Sequence, residues 1–212
     1  MIHPHIELRE VDAVVGAGTF ATRPLRKGTI LWVLDELDRV MTPDEVDGLP
    51  ELLRPVMDRY SYVDRHGRHI LCWDHGRYMN HACDAVTIGV ADAFEIAVRD
   101  VAEGEQVTCD YGILNMLDAF DCRCGAASCR GRISAHDAER FVDEWDARAQ
   151  SAFDAACGME QILLPFARLA PIDQPLAAAL RAGQSIAVPS ARGYLRQPAT
   201  KAPRPRTPSS SP

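Results

Sequence analysis

Three cysteines stand within eight residues in Cys122-Arg-Cys124-Gly-Ala-Ala-Ser-Cys129. A Cys-x-Cys pair followed by a third thiol is a metal-ligand spacing that still needs one donor. Structural zinc takes four ligands in a tetrahedron, mostly thiolate or imidazole. Upstream lies Asn80-His81-Ala82-Cys83, and between the two lies Asp110-Tyr111-Gly112. The source of the fourth ligand decides what the cluster is for. If Cys83 supplies it, the metal ties the later segment to an Asn-His pair and a tyrosine, and the pieces form one site. The seven cysteines are an odd number, and the opening Met1-Ile-His-Pro-His-Ile-Glu7 has neither the basic nor the apolar stretch of an export signal. Both features favour metal binding in a reducing, cytoplasmic setting over a disulfide framework.

Taken singly, the neighbouring motifs are weak. Gly16-Ala17-Gly18 lets a backbone approach a ligand, but it lacks the third glycine and following helix of a dinucleotide fingerprint and reads first as a turn or packing point. Asn80 carries both donors and acceptors and can hold an amino-acid moiety. A lone His81 is more often structural than a base, and a lone Tyr111 at a strand end is more often core.

Short β patterns must position these residues. Ile6-Glu-Leu-Arg9 alternates, Thr29-Ile-Leu-Trp-Val-Leu34 is apolar and β-branched after the turn Arg26-Lys-Gly28, and Phe94-Glu-Ile-Ala-Val-Arg99 alternates. Tyr60-Ser-Tyr-Val63 and His69-Ile-Leu-Cys-Trp73 flank Arg65-His-Gly67 as a hairpin. Strands at this spacing without a βαβ rhythm indicate a β-rich domain. Thr42-Pro-Asp-Glu45 is a capping box with Pro at the first helical position. It opens a short helical insert over about 42–57. After the cysteines, Ser134-Ala-His-Asp137 resembles another cap. Phe141, Trp145, Ala149, Ala152, Phe153 and Ala156 then share one helical face. Residues 160–183 read as helix interrupted by Pro165, Pro171 and Pro175, and the Pro/Ser/Arg-rich stretch from 189 reads as disordered.

Four motifs in one order change the weights. Gly16-Ala-Gly-Thr-Phe20, Arg77-Tyr-Met-Asn-His-Ala-Cys-Asp84, Gly104-Glu-Gln-Val-Thr-Cys-Asp-Tyr-Gly112 and Cys122-Arg-Cys-Gly-Ala-Ala-Ser-Cys-Arg-Gly131 together resemble the SET-domain protein lysine methyltransferases with a zinc-binding post-SET segment. The resemblance covers about residues 5–133. It implies a β-rich α+β fold of small sheets with a knot-like crossing. The implied divisions are a SET domain at 5–115 and a post-SET zinc segment at 116–133; beyond the resemblance, periodicity and composition give a helical extension at 134–188 and a disordered basic tail at 189–212. It also implies S-adenosylmethionine held by Ala17, Gly18, Thr19, Tyr62 (rather than Tyr60), Asn80, His81 and Arg123. One structural Zn2+ falls to Cys83, Cys122, Cys124 and Cys129, and the catalytic role to Tyr111. Where relatives often continue Cys-Asp-Pro-Asn, this chain has Cys83-Asp-Ala-Val, a departure in the loop after the zinc ligand. The position two before the tyrosine, often Phe or Tyr in the family, is Cys109. Its small side chain leaves room for methylation beyond the first methyl group.

Charge agrees with a basic substrate. The net charge is −7, yet residues 189–212 carry +5, leaving −12 on the rest. An acidic body suits a basic protein or peptide better than a polyanion, although plain solubility explains it too. Direct nucleic-acid binding is not expected, since it asks for a basic face. No apolar run is long enough to span a membrane. The alternative is a SET-like, zinc-stapled module that binds basic peptides without catalysis. Ala199-Thr-Lys201-Ala-Pro-Arg-Pro-Arg206 resembles a basic methylation target, and a solubilising end is the plainer reading.

Overall fold

The computed structural model describes residues 1–92, 94–116 and 118–196. Among these, the chain runs β1 (Ile6–Asp12), β2 (Gly16–Ala21), β3 (Ile30–Val33), β4 (Arg39–Met41), α1 (Pro43–Asp47), α2 (Arg54–Tyr60), β5 (Ser61–Val63), β6 (His69–Leu71), β7 (Asn80–His81), β8 (Thr87–Val90), β9 (Phe94–Ala97), β10 (Gln106–Cys109), β11 (Phe120–Asp121), β12 (Arg132–Ile133), α3 (Asp137–Ala156) and α4 (Gln174–Ala182). The result is a β-rich α+β fold of small sheets with its longer helix near the C-terminus.

Three sheets matter for function. One has the order β1-β2-β10-β7, with β7 parallel to β10 and the other pairs antiparallel. A second, β3-β9-β8, is antiparallel and nearly all buried. Its apolar runs are continuous because α3 covers it. Ile30, Val33, Ile88, Val90, Phe94 and Ile96 pack with Val142, Trp145, Ala149 and Phe153 in one core. Burial of a side chain such as Phe153 contributes about 1.5–3 kcal/mol. The third sheet, β4-β6-β5, contains the expected hairpin, with Tyr62 opposite Ile70.

The insert starts as its sequence predicts. Thr42 caps α1, the Glu45 carboxylate accepts from Thr42 N–H at 2.7 Å, and Glu45 N–H reaches Thr42 Oγ1 at 3.3 Å. Such a cap stabilises by about 1 kcal/mol. The insert runs past Met57 to Tyr60, because Pro55 sits in the first turn of α2, where a missing N–H leaves no bond unmade. At the other end, α3 begins at Asp137 without a side-chain cap, so Ser134 is not its N-cap residue. The buried face is as read, with Val142 replacing Phe141 as its first fully buried residue.

The disordered tail needs correction at its start. Residues 189–196 lie on the body. Tyr194 is buried, its hydroxyl donates to Asp173 Oδ1 at 2.8 Å, and the Arg65 guanidinium lies 4.1 Å from its ring centre. Composition averaged over the tail hides one aromatic anchor. Residues 197–212, with Lys201, lie outside the described residues. No helix among the described residues is long and apolar enough to cross a membrane.

Candidate active site and metal centre

Strand pairing assembles the site. β10 takes β2 on one edge (Val107 opposite Thr19) and β7 on the other (Thr108 opposite Asn80, Cys109 opposite His81). Segments 88 and 28 residues apart in sequence thus become neighbouring backbones. Asn80 Nδ2 donates to Ala17 O at 3.1 Å across the top of this sheet. A Cβ on Gly18 would lie 2.5 Å from Gln106 Nε2 and 2.8 Å from Asn80 Nδ2. Gly18 is therefore required by close approach rather than by a turn. Thr19 is fully buried and spends its hydroxyl on Val107 O at 2.9 Å, so its side chain faces the core.

His81 is fixed from three sides. Its Nδ1 accepts the Tyr111 N–H at 3.1 Å and lies 3.6 Å from Asp110 Oδ1. An Nδ1 that accepts places the ring proton on Nε2, which faces Cys83 Sγ at 3.4 Å. Burial lowers the imidazole's pKa more than Asp110 raises it, so the ring is neutral near pH 7. Tyr111 and Phe120 pack on it with ring centres 5.5 and 5.6 Å away.

Tyr111 donates its hydroxyl to Met79 O at 2.9 Å. Burial pushes its pKa well up, so it remains a neutral phenol. Tyr62 reaches the same apolar cluster, which also holds Trp32, Met79 and Cys109. Its ring meets Trp32 edge-on at 5.8 Å. The Tyr62 hydroxyl and Trp32 Nε1 are both buried without a hydrogen-bond partner. Native structures rarely leave such groups unpaired, and both are free to meet a polar group of a ligand. Tyr60 instead ends α2 and packs on Tyr78.

The cysteines converge as well. The ligand atoms of His81, Cys83, Cys122 and Cys124 all lie within 4.8 Å of one another. Cys83 Sγ is 3.8 Å from Cys122 Sγ. A tetrahedron with Zn–S bonds of about 2.3 Å has edges of about 3.8 Å. Cys129 adjoins this group without being one of its four; its Sγ donates to Cys122 O at 3.6 Å. Burial, aided by neighbouring thiols, pushes Cys122 up to about 12. For Cys124, the N–H groups of Cys83 and Ala126 outweigh the opposing desolvation and bring it down to about 7. Packed thiols resist ionising together, and a divalent cation removes that penalty. The donor set fits zinc, with five donors available for four positions.

Sequence reasoning assigned no role to Arg130, Phe120 or Trp32. Arg130 donates to Cys83 Sγ from its backbone N–H (3.3 Å) and from Nε (3.4 Å), and its guanidinium bonds Asp110 and Asp137. The available signal was an arginine directly after the third cysteine of an acidic chain. Arg123, in contrast, is exposed, and no hydrogen bond or ion pair among the described residues holds its side chain.

Residues 16–112 match the family model of the SET domain. No curated protein matches the chain significantly.

Proposed function

We propose, from the premise that residues 16–112 are a SET domain, that this protein is an S-adenosylmethionine-dependent protein-lysine N-methyltransferase with a zinc-stapled post-SET segment at 116–133. The observation that carries the reading is the meeting of Ala17-Gly18 on β2 and Asn80-His81 on β7, either side of β10, with Tyr111 in the turn that follows β10, beside a compact His/Cys cluster.

The residues fit the cofactor. Gly18 lets Asn80 and Gln106 close onto the β2 backbone, and Tyr62 offers an unpartnered hydroxyl. Ala17, Gly18, Thr19, Asn80, His81 and Tyr62 would hold it, Thr19 through its backbone. Arg123 rests on the family resemblance alone. When bound, the cofactor supplies an electrophilic methyl group on a sulfonium.

The chain's own residues then have a positioning task. A lysine amine must be neutral to attack, and its ordinary pKa is about 10.4. An apolar channel disfavours the ammonium and lowers that value. A neutral Tyr111 cannot take the proton as a base, but its hydroxyl can orient the amine and polarise the transferring methyl. The amine's proton leaves to solvent. Cys109 leaves space for a methylated amine, so the reaction proceeds beyond the first methyl group.

Cys83, Cys122, Cys124 and Cys129 would hold the zinc, with His81 donating its Nε2–H to the Cys83 thiolate. The acidic body favours a basic protein as substrate. The test is methyl transfer from labelled S-adenosylmethionine to mixed basic proteins. Wild type should label lysines, and Tyr111→Phe should lose about a thousandfold in rate with zinc content intact. Zinc-loaded wild type that binds the cofactor yet labels no lysine overturns the reading.

A further inference from the structure

Tyr111 sits in a single helical turn, Tyr111–Ile113. The residues bracketing that turn both reach into the C-terminal third of the chain. Asp110, 1% exposed, accepts the Gly112 N–H at 2.9 Å and is bonded by Arg130 through Oδ1. Its Oδ2 accepts the Trp145 indole N–H at 3.0 Å. Arg130 continues to Asp137 at 2.8 Å and lies over the Phe141 ring at 5.0 Å, both in the early turns of α3. At the other end, Asn115 has φ 52°, a left-handed conformation. Its Nδ2 donates to Val63 O (3.1 Å), next to Tyr62, and to Tyr194 O (2.9 Å), while its Oδ1 accepts the Arg196 N–H at 2.6 Å.

We infer that residues 134–196 act as a two-point clamp on the Tyr111 turn, with Trp145, Arg130 and Asn115 as positioning residues. Attachment of α3 to the body does not require this polar contact. Phe153, Ala149 and Ala152 already bury an apolar face against β8 and β9. Buried polar groups contribute little net stability but rigidify and specify geometry when fully satisfied. The bonds converge on Asp110 and Asn115, at either end of the Tyr111 turn, and in-line transfer depends on sub-ångström orientation. The catalytic consequence rests on the methyltransferase reading, whereas the clamp itself does not.

Three full-length variants separate the possibilities. Trp145→Phe keeps an aromatic ring in the core, smaller than the indole, and removes the indole donor. Asn115→Gly removes the amide yet keeps the left-handed backbone accessible. Phe153→Leu weakens the same helix's packing away from Asp110. Hydrogen–deuterium exchange over residues 110–116, zinc content and steady-state kinetics are measured on each. Exchange in that window should rise about tenfold in the first two variants and remain unchanged in Phe153→Leu. Their kcat should fall about 10- to 100-fold, with KM for the cofactor within about twofold and zinc retained. Exchange that rises equally in all three, or not at all, overturns the clamp. Exchange that rises while kcat holds overturns positioning. A wild type without methyl transfer, with the exchange pattern as expected, overturns the enzymatic reading and leaves the clamp standing.

Discussion

The two halves of the site are held by different forces. Asn80-His81 and the approach to Tyr111 are strands β7 and β10 of a sheet, fixed by backbone pairing. Among the described residues, 116–133 pair only as the two-residue strands β11–β12 and reach the other half through thiols, Arg130 and the Phe120 ring. A strand-held half tolerates loss of any one side chain. A side-chain-held half stands or falls with its cross-link, as small metal-stapled segments generally do.

Metal removal tests that contrast most severely. Chelation, or Cys129→Ser, should release zinc and reduce cofactor affinity about 100-fold, while far-UV circular dichroism of the strand-held half persists. On the proposed four-cysteine set, His81→Ala should retain zinc, because the His81 nitrogen there donates to Cys83 rather than serving as a ligand. Zinc kept by Cys129→Ser and lost by His81→Ala would show that the ligand set is His81, Cys83, Cys122 and Cys124. Intact, metal-free protein with normal cofactor binding would dissolve the contrast between the halves.

Proton titration should act on the β3-β9-β8 sheet, which Thr87 joins to the strand-held half through Thr108 O at 3.2 Å. Glu95 in β9 is fully enclosed, bonded to Thr87 Oγ1 at 2.6 Å, and burial pushes its pKa up to about 7. A raised carboxyl pKa means that the folded state holds a proton the unfolded chain has released. The associated stability is complete below about pH 4.5 and is lost as pH rises through about 7, a loss on the order of 3 kcal/mol. Melting temperature should fall over that window, and Glu95→Gln should flatten the dependence while leaving zinc content unchanged. A Glu95→Gln profile that follows wild type removes the effect.

Gly18→Ala has a smaller expected effect. Its methyl meets Gln106 Nε2, which can swing away, and Asn80 Nδ2, which is tied to Ala17 O. Displacing Asn80 should weaken cofactor binding about tenfold and cost about 1–3 kcal/mol of stability. Calorimetric titration of the cofactor measures the first, and an affinity equal to wild type counts against the Gly18 surface as its seat.

These effects separate what a sequence states from what only folding supplies. The gathering of the Cys83, Cys122 and Cys124 thiols was legible as a metal-ligand spacing because fixed residue types recur at short intervals, whereas the place of His81 among them was not. The hairpin around Gly67 and the Thr42 cap were legible for the same local reason. Arg130, Phe120, Trp32 and Trp145 were not, since each acts through partners far along the chain and none alters a local period. Tyr194 escaped for a related reason: one buried aromatic outweighs the polar composition around it. Gly18 was visible as a residue, but its need appeared only when Asn80 and Gln106 came to lie beside it.

The gentlest probe asks whether the strand-held half also sets the product. Cys109 is 4% exposed in the cluster with Trp32, Tyr62 and Met79, two residues before Tyr111. A phenylalanine there must displace neighbours, at about 1–3 kcal/mol. If it fills the space beside the amine, a once-methylated lysine no longer fits, while the first transfer slows only a few-fold. Mass spectrometry should then show di- or trimethyl product from wild type and monomethyl product from Cys109→Phe. Cys109→Ala, which removes no room, should match wild type. Monomethyl product from all three would mean that the aromatic neighbours already close the space and that Cys109 serves packing alone.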